Sequence, residues 1–195
     1  MFKKFAVGVF SVLVLSSCGH VVTGGATMVG TAVVQERTIG AAIDDAAIMA
    51  KTKSEYLQED VNNLFHSVNI FVHERRVLLT GTVPSNKYRI KAVKLAWKAK
   101  GVKEVINEIQ IDSEFSAEEY AKDTWITTQI RSKMLLSAAV HSINYKVITV
   151  NKVVYLMGVA QTRSELDEVA YLASRVPNVQ KVISHVRIIG QKIPN

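Results

Sequence analysis

The chain of 195 residues contains one cysteine, Cys18, so no internal disulfide can staple its fold. Neither of its two uncharged apolar stretches qualifies as a bilayer span. The first, Phe5 to Leu15, falls short of the roughly 20 residues a helix needs to cross. The second, Val21 to Val34, is too weakly apolar, being rich in Gly, Ala, Val and Thr. Metal-ligand spacing is missing too. His20, His66, His73, His141 and His185 pair with neither a cysteine nor one another, and read as ordinary surface or strand-end residues. Val22-Thr23-Gly24-Gly25 is glycine-rich but lacks the lysine and the strand-to-helix setting of a phosphate loop. There is no nucleophile elbow and no convergent carboxylate pair. The expectation is a protein without catalytic residues, metal or cofactor.

What is present begins at the N-terminus. Lys3 and Lys4 precede the apolar segment Phe5 to Leu15, and Leu15-Ser16-Ser17-Cys18 closes it with small residues before the cysteine. A basic start, a short apolar core and a small-residue cut site make an export signal over residues 1–17. The cut site resembles the lipobox of bacterial lipoproteins. That implies a diacylglyceryl thioether on Cys18, cleavage before it and acylation of the new amine. Several acyl chains anchor stably where one would be marginal. Gly19 rather than an aspartate follows Cys18, a pattern that goes with outer-membrane export in well-studied Gram-negative bacteria. Residues 18–39 then form the lipidated start and either a flexible tether or a segment lying on the membrane.

The formal charge is +7, and removing Lys3 and Lys4 leaves +5. A basic balance in a cytoplasmic protein would suggest nucleic acid. For an exported chain the available polyanions are anionic phospholipids, lipopolysaccharide and cell-wall polymers, and no nucleic-acid partner is expected.

The rest of the chain repeats itself. Val77-Leu78-Leu79-Thr80-Gly81 matches Val154-Tyr155-Leu156-Met157-Gly158 at an offset of 77. The same offset pairs Val102, Val105, Ile106, Ile109 and Ile111 with Val179, Val182, Ile183, Val186 and Ile188. It also pairs Ile70 and Phe71 with Val147 and Ile148, and Met49 with Ile126. Each repeat reads helix, strand, strand, helix, strand. In the second, Ile126, Ile130 and Met134 mark one helical face, residues 145–150 and 153–160 are β-rich, and Asn151-Lys152 joins them. Residues 162–176 are helical with Thr162 as cap, and residues 179–189 form a third strand. The predicted fold class is α+β, with two tandem units of two helices packed on a three-stranded sheet. The units span residues 40–112 and 121–190, joined by a polar linker at 113–120.

These features resemble the dual BON-domain outer-membrane lipoproteins. The resemblance rests on Arg37-Thr38-Ile39-Gly40 with Asp44-Asp45, Asn107-Glu108-Ile109, Asp123-Thr124-Trp125-Ile126-Thr127-Thr128, Leu156-Met157-Gly158 and Ala173-Ser174-Arg175-Val176. One departure is the lack of a glycine in either hairpin: Glu74-Arg75-Arg76 and Asn151-Lys152 stand there, and the first hairpin is expected to be wider than usual. The resemblance implies a non-enzymatic protein, anchored in the outer membrane and facing the periplasm, that supports envelope integrity. It further implies binding of anionic phospholipid through the first helix of the second BON domain. Envelope assembly proteins and enrichment at the division site are further expectations.

The repeats diverge on their helices. Residues 121–137 carry Lys122, Arg131 and Lys133 against Asp123, whereas residues 44–60 carry Lys51 and Lys53 against Asp44, Asp45, Glu55, Glu59 and Asp60. At 100° per residue, Trp125, Gln129, Ser132 and Leu136 form a stripe beside the buried face, bordered by Lys122 and Lys133. At the offset of 77 its counterpart is Ile48, Thr52, Glu55 and Glu59. A tryptophan with apolar neighbours and basic edges suits a headgroup boundary, so these six residues are the expected phospholipid site. The alternative is that Trp125 packs against the neighbouring domain. Residues 85–100 offer a secondary basic surface. They hold six basic residues and no acid, with Lys87, Lys91, Lys94, Trp97 and Lys98 on or beside the outward face. Trp97 there could equally pack between domains. The competing function is a protein-interaction adaptor with Trp125 as its hot spot.

Overall fold

A computed structural model describes residues 39–112 and 117–191; the expected signal segment and the lipidation residue Cys18 lie outside them. Among the described residues no helix is long and apolar enough to cross a membrane. The first repeat runs α1 (Ile39–Glu59), β1 (Val68–His73), β2 (Arg76–Val83), α2 (Asn86–Trp97) and β3 (Glu104–Ile111). The second runs α3 (Ala117–Leu136), β4 (Tyr145–Val150), β5 (Val153–Ala160), α4 (Arg163–Ser174) and β6 (Lys181–Ile188). Helix α3 thus starts inside the stretch expected as linker.

Each repeat makes its own three-stranded sheet, in the orders β1-β2-β3 and β4-β5-β6. The first two strands pair antiparallel as a hairpin, and the third returns parallel to the second after a helix. A parallel return needs such a crossover, and α2 and α4 supply it. Gly81 and Gly158 pair with the first residues of β1 and β4, Val68 and Tyr145, at the open ends of the hairpins. Both have positive φ, and a Cβ would lie 2.1 Å from the Ser67 carbonyl oxygen or 2.0 Å from that of Asn144. Only glycine permits that approach.

The first hairpin is not wider than the second, which corrects the expectation from its missing glycine. Glu74 and Arg75 form a two-residue turn with φ of 52° and 64°, matching Asn151 and Lys152 at 49° and 63°. Arg76 belongs to β2, not to the turn. Left-handed backbone at two non-glycine residues is costly, about 1–2 kcal/mol each. A buried carboxylate offsets it in both repeats. Asp45 accepts hydrogen bonds from the amides of Glu74 and Arg75 at 2.7 Å each. Asp123 accepts from those of Asn151 and Lys152 at 2.6 and 2.9 Å.

These aspartates also reset the helix alignment. Asp45, Ile48, Thr52 and Tyr56 are buried on α1, and Asp123, Ile126, Ile130 and Met134 on α3. The structural offset in the first helices is therefore 78, not the 77 that holds in the sheets. From the last matched helix residue to the first strand, the first repeat is one residue longer, Tyr56 to Val68 against Met134 to Tyr145; the irregular stretch between α1 and β1 lies in this interval. It includes a π-helical turn at Val61–Phe65, where the second repeat has a 3-10 turn at Ser142–Asn144. Met49 is consequently not the equivalent of Ile126; Ile48 is.

Helices cover one face of each sheet, forming two separate cores. In the first, Tyr56, Leu64, Leu79 and Ala92 are fully buried, and the Tyr56 hydroxyl donates to the Ala92 carbonyl, tying α1 to α2. In the second, Ile126, Ile130, Leu156 and Val169 are fully buried. The opposite sheet faces form a third apolar cluster, made of Leu78, Ile148, Val150, Tyr155 and Met157 with Phe71, Ile106, Val153 and Ile183 against them. The two sheets thus pack back to back, and the helix pairs lie on the two outer sides. Complete burial of a side chain such as Leu78 or Met157 contributes about 1.5–3 kcal/mol.

Candidate functional site

Helix α3 is held in place by its buried line. Ile126, Ile130 and Met134 fill the second core, Asp123 caps the β4–β5 turn, and Thr127 Oγ1 donates to Thr149 Oγ1 at 2.8 Å. The Arg131 guanidinium donates to the Val147 carbonyl on the free edge of β4, at 2.9 Å. This edge carbonyl, which no strand pairs, is satisfied in this way.

With that side fixed, the Trp125 stripe lies beside the buried line and turns away from the core, with Gln129 nearest to it. Trp125 is 46% exposed, Leu136 85% and Leu135 75%. Ser132, Lys122 and Lys133 are exposed and Gln129 is half-buried, so the structure brings all six expected residues to one outer surface. The indole does not seal the domain interface, which is made by the sheet faces. Lys122 is paired with Glu118 at 2.7 Å, one turn earlier, and that carboxylate raises the ammonium pKa. Lys133 and Lys146 have no acidic partner among the described residues. Sequence reasoning missed Leu135 and Ile143, the latter 56% exposed. Together with Arg131, Met134, Tyr145 and Lys146 they line a hollow of about 390 Å³. Its signal was the doublet Leu135-Leu136 at a helix end.

The proposed counterpart stripe on α1 does not exist as a surface, because Ile48 and Thr52 are buried. Its acids have another role. Glu59 pairs with Lys91 at 2.5 Å, and Glu55 pairs with Lys98 at 3.0 Å and Lys51 at 2.6 Å. Hydrogen bonds from Lys51 and Lys98 hold the Glu55 carboxyl below its ordinary pKa. Two of the five residues of the secondary basic surface are thus neutralised locally. Lys87, Lys94 and Trp97 stay exposed, with Trp97 at 51% and Ile90 beside it at 48%.

Two histidines expected as ordinary surface residues have specific partners. His141 Nδ1 lies 3.2 Å from the buried Glu165 carboxylate, and His185 Nε2 lies 2.9 Å from Glu108 Oε1 across the domain interface. Neither pair forms part of a ligand set: among the described residues no group of three or more His, Cys, Asp or Glu side chains is placed to hold a metal ion.

The doubled α+β units define a protein of tandem small domains. Both match the BON domain, over residues 44–113 and 122–190, and the chain belongs to the BON-domain family. It is DolP-like in its two-domain layout. Outer membrane lipoprotein DolP of Haemophilus influenzae is 33% identical over 181 residues, covering 93% of each chain. A protein of Anaplasma centrale from the gshII 5′ region is 45% identical over 152 residues, covering 77% of this chain and 99% of that one. The 21 kDa hemolysin of Actinobacillus pleuropneumoniae is 31% identical over 161 residues, covering 80% of each.

Proposed function

We propose that this chain is a non-enzymatic lipoprotein, anchored through acylated Cys18 in the outer membrane and facing the periplasm, that binds anionic phospholipid along α3. In this role it supports envelope integrity. Its similarity to an outer membrane lipoprotein over 93% of the chain supports the location. The observation that carries the binding site is the outer side of α3. There an indole and the Leu135-Leu136 doublet stand exposed beside Lys122 and Lys133, although each is large and apolar enough to be buried. Such a surface gains by entering the headgroup boundary, and each basic side chain close to an anionic bilayer adds about 1 kcal/mol.

The test is a titration of the mature chain, with Cys18 replaced so that it is unacylated, against phosphatidylglycerol-containing and purely phosphatidylcholine vesicles. Binding should be confined to the anionic vesicles and should weaken as salt rises. Trp125→Glu should lower affinity ten-fold or more, about 1.4 kcal/mol, without shifting the unfolding midpoint, since the indole lies outside both cores. Equal binding by wild type and Trp125→Glu would remove α3 from the site. The hollow beside Leu135 and Ile143, adjoining the β4 edge, favours a second reading as an adaptor for an envelope assembly or quality-control protein. Failure to bind either vesicle would favour it.

A further inference from the structure

We infer that the outer face of α2 is a second anionic-lipid surface, so that one molecule can bridge two bilayers. The proposal takes lipid contact by α3 as its first attachment. Each repeat exposes one indole, and the two sit on helices that are not equivalents: Trp97 on the second helix of repeat one, Trp125 on the first helix of repeat two. At the positions on α4 that match Ile90, Lys94 and Trp97 stand Asp167, Tyr171 and Ser174, a surface without an indole whose cations are engaged, Arg163 by Asp167 and Arg175 over the Tyr171 ring. The α2 face therefore belongs to the first repeat alone.

Its chemistry suits a negatively charged bilayer. Helix α2 contains no acid. Lys91 and Lys98 are held by Glu59 and Glu55, which leaves Lys87, Lys94 and Lys100 without an acidic partner among the described residues. Ile90 and Trp97, both about half exposed, run alongside Lys87 and Lys94 at helical spacing. An indole flanked by free ammonium groups matches an interface of acyl chains below and phosphates above.

Geometry then decides what the two faces do together. The sheets pack back to back through Leu78, Tyr155 and Met157, so α2 lies on the outer side of one sheet and α3 on the outer side of the other. One flat bilayer does not reach both at once. Two bilayers do.

The experiment uses the unacylated mature chain and two populations of phosphatidylglycerol-containing phosphatidylcholine vesicles carrying donor and acceptor dyes. Wild type should bring the dyes together and raise light scattering at protein concentrations that saturate binding. Trp97→Glu, and independently the double variant Lys87→Glu with Lys94→Glu, should keep sedimenting with vesicles but lose the clustering. Both sets of side chains are exposed, and unchanged circular dichroism and melting will show that the fold is kept. Trp125→Glu should lose clustering as well, together with most of its binding. If wild type saturates vesicles without clustering them, or if both α2 variants cluster as wild type does, the second surface is refuted. The α3 assignment is judged separately, by single-vesicle binding of Trp125→Glu.

Discussion

At the scale of single residues, Asp45 and Asp123 carry more of the fold than their position on a helix suggests. Each leaves the polar side of its helix, enters the protein and receives two amide donors from a turn that contains no glycine. The carboxylate is what makes a left-handed pair such as Asn151-Lys152 tolerable. Asp123→Ala should therefore cost about 1–3 kcal/mol in a urea titration, because two amides lose a charged acceptor. Replacing Asn151 and Lys152 with glycines in that background should recover part of the loss, since glycine needs no help at positive φ. A variant as stable as wild type would show that the turn holds itself. The paired aspartates were visible in the sequence, but their function was not, because a turn 28 or more residues away supplies the donors.

Among the elements, α4 shows how a helix start can be fixed by charge. Thr162 caps it by accepting from the Glu165 amide, as its place before the apolar line foretold. Glu165 itself, 4% exposed, accepts from the His141 and Gln161 amides at 2.8 Å each, joining the approach to β4 and the end of β5 to the helix. Burial raises its carboxyl pKa, but these donors outweigh burial and the net shift is downward from 4.5. A carboxyl depressed on folding contributes stability above its unfolded pKa, and that contribution is lost as pH falls through the folded value. Glu165→Gln should therefore be destabilised by about 1–3 kcal/mol at neutral pH. The gap to wild type should close as pH drops below 4.5, and melts across that range will show it. A gap that stays constant with pH would assign the effect to packing. The strands at 145–150 and 153–160 were legible to the residue because two β-rich runs joined by a two-residue turn leave little freedom. The alignment of α1 was not: the extra residue falls between Tyr56 and Val68, across the helix end and the irregular stretch after it, where no periodicity marks it.

For the whole molecule, the domain interface reads as a near-symmetric dimer within one chain. Phe71, Leu78 and Ile106 lie side by side across the first sheet, and Ile148, Tyr155 and Ile183 occupy the same places in the second. The pair Glu74–Arg187 at 2.9 Å has its mirror in Asn151–Gln110 at 2.9 Å. Glu108 and His185 stand at the same repeat position, 77 residues apart, and meet each other. In a two-fold arrangement a residue on the axis meets its own equivalent. Two copies of the first domain would oppose Glu108 to Glu108, so this pair favours joining unlike domains. Arg76 reinforces it, bridging Glu104 and the His185 carbonyl. A double-mutant cycle with Glu108→Gln and His185→Gln should give a coupling of about 0.5–3 kcal/mol by denaturation. Strict additivity would mean the pair is incidental.

Taken alone, the sequence determined the doubled α+β units and the bounds of the strands at 145–150 and 153–160, because local patterning and repeat alignment encode these; it left open whether either indole faces solvent or the neighbouring domain. Only the tertiary structure decided which acids cap turns, which neutralise the α2 lysines, and that the sheets meet back to back. Unbroken apolar runs such as Val77-Leu78-Leu79 hinted that β2 is covered on both faces, yet a run of that kind does not name its partner. Burial and charge pairing depend on residues far apart along the chain, and their contacts exist only once the chain has folded.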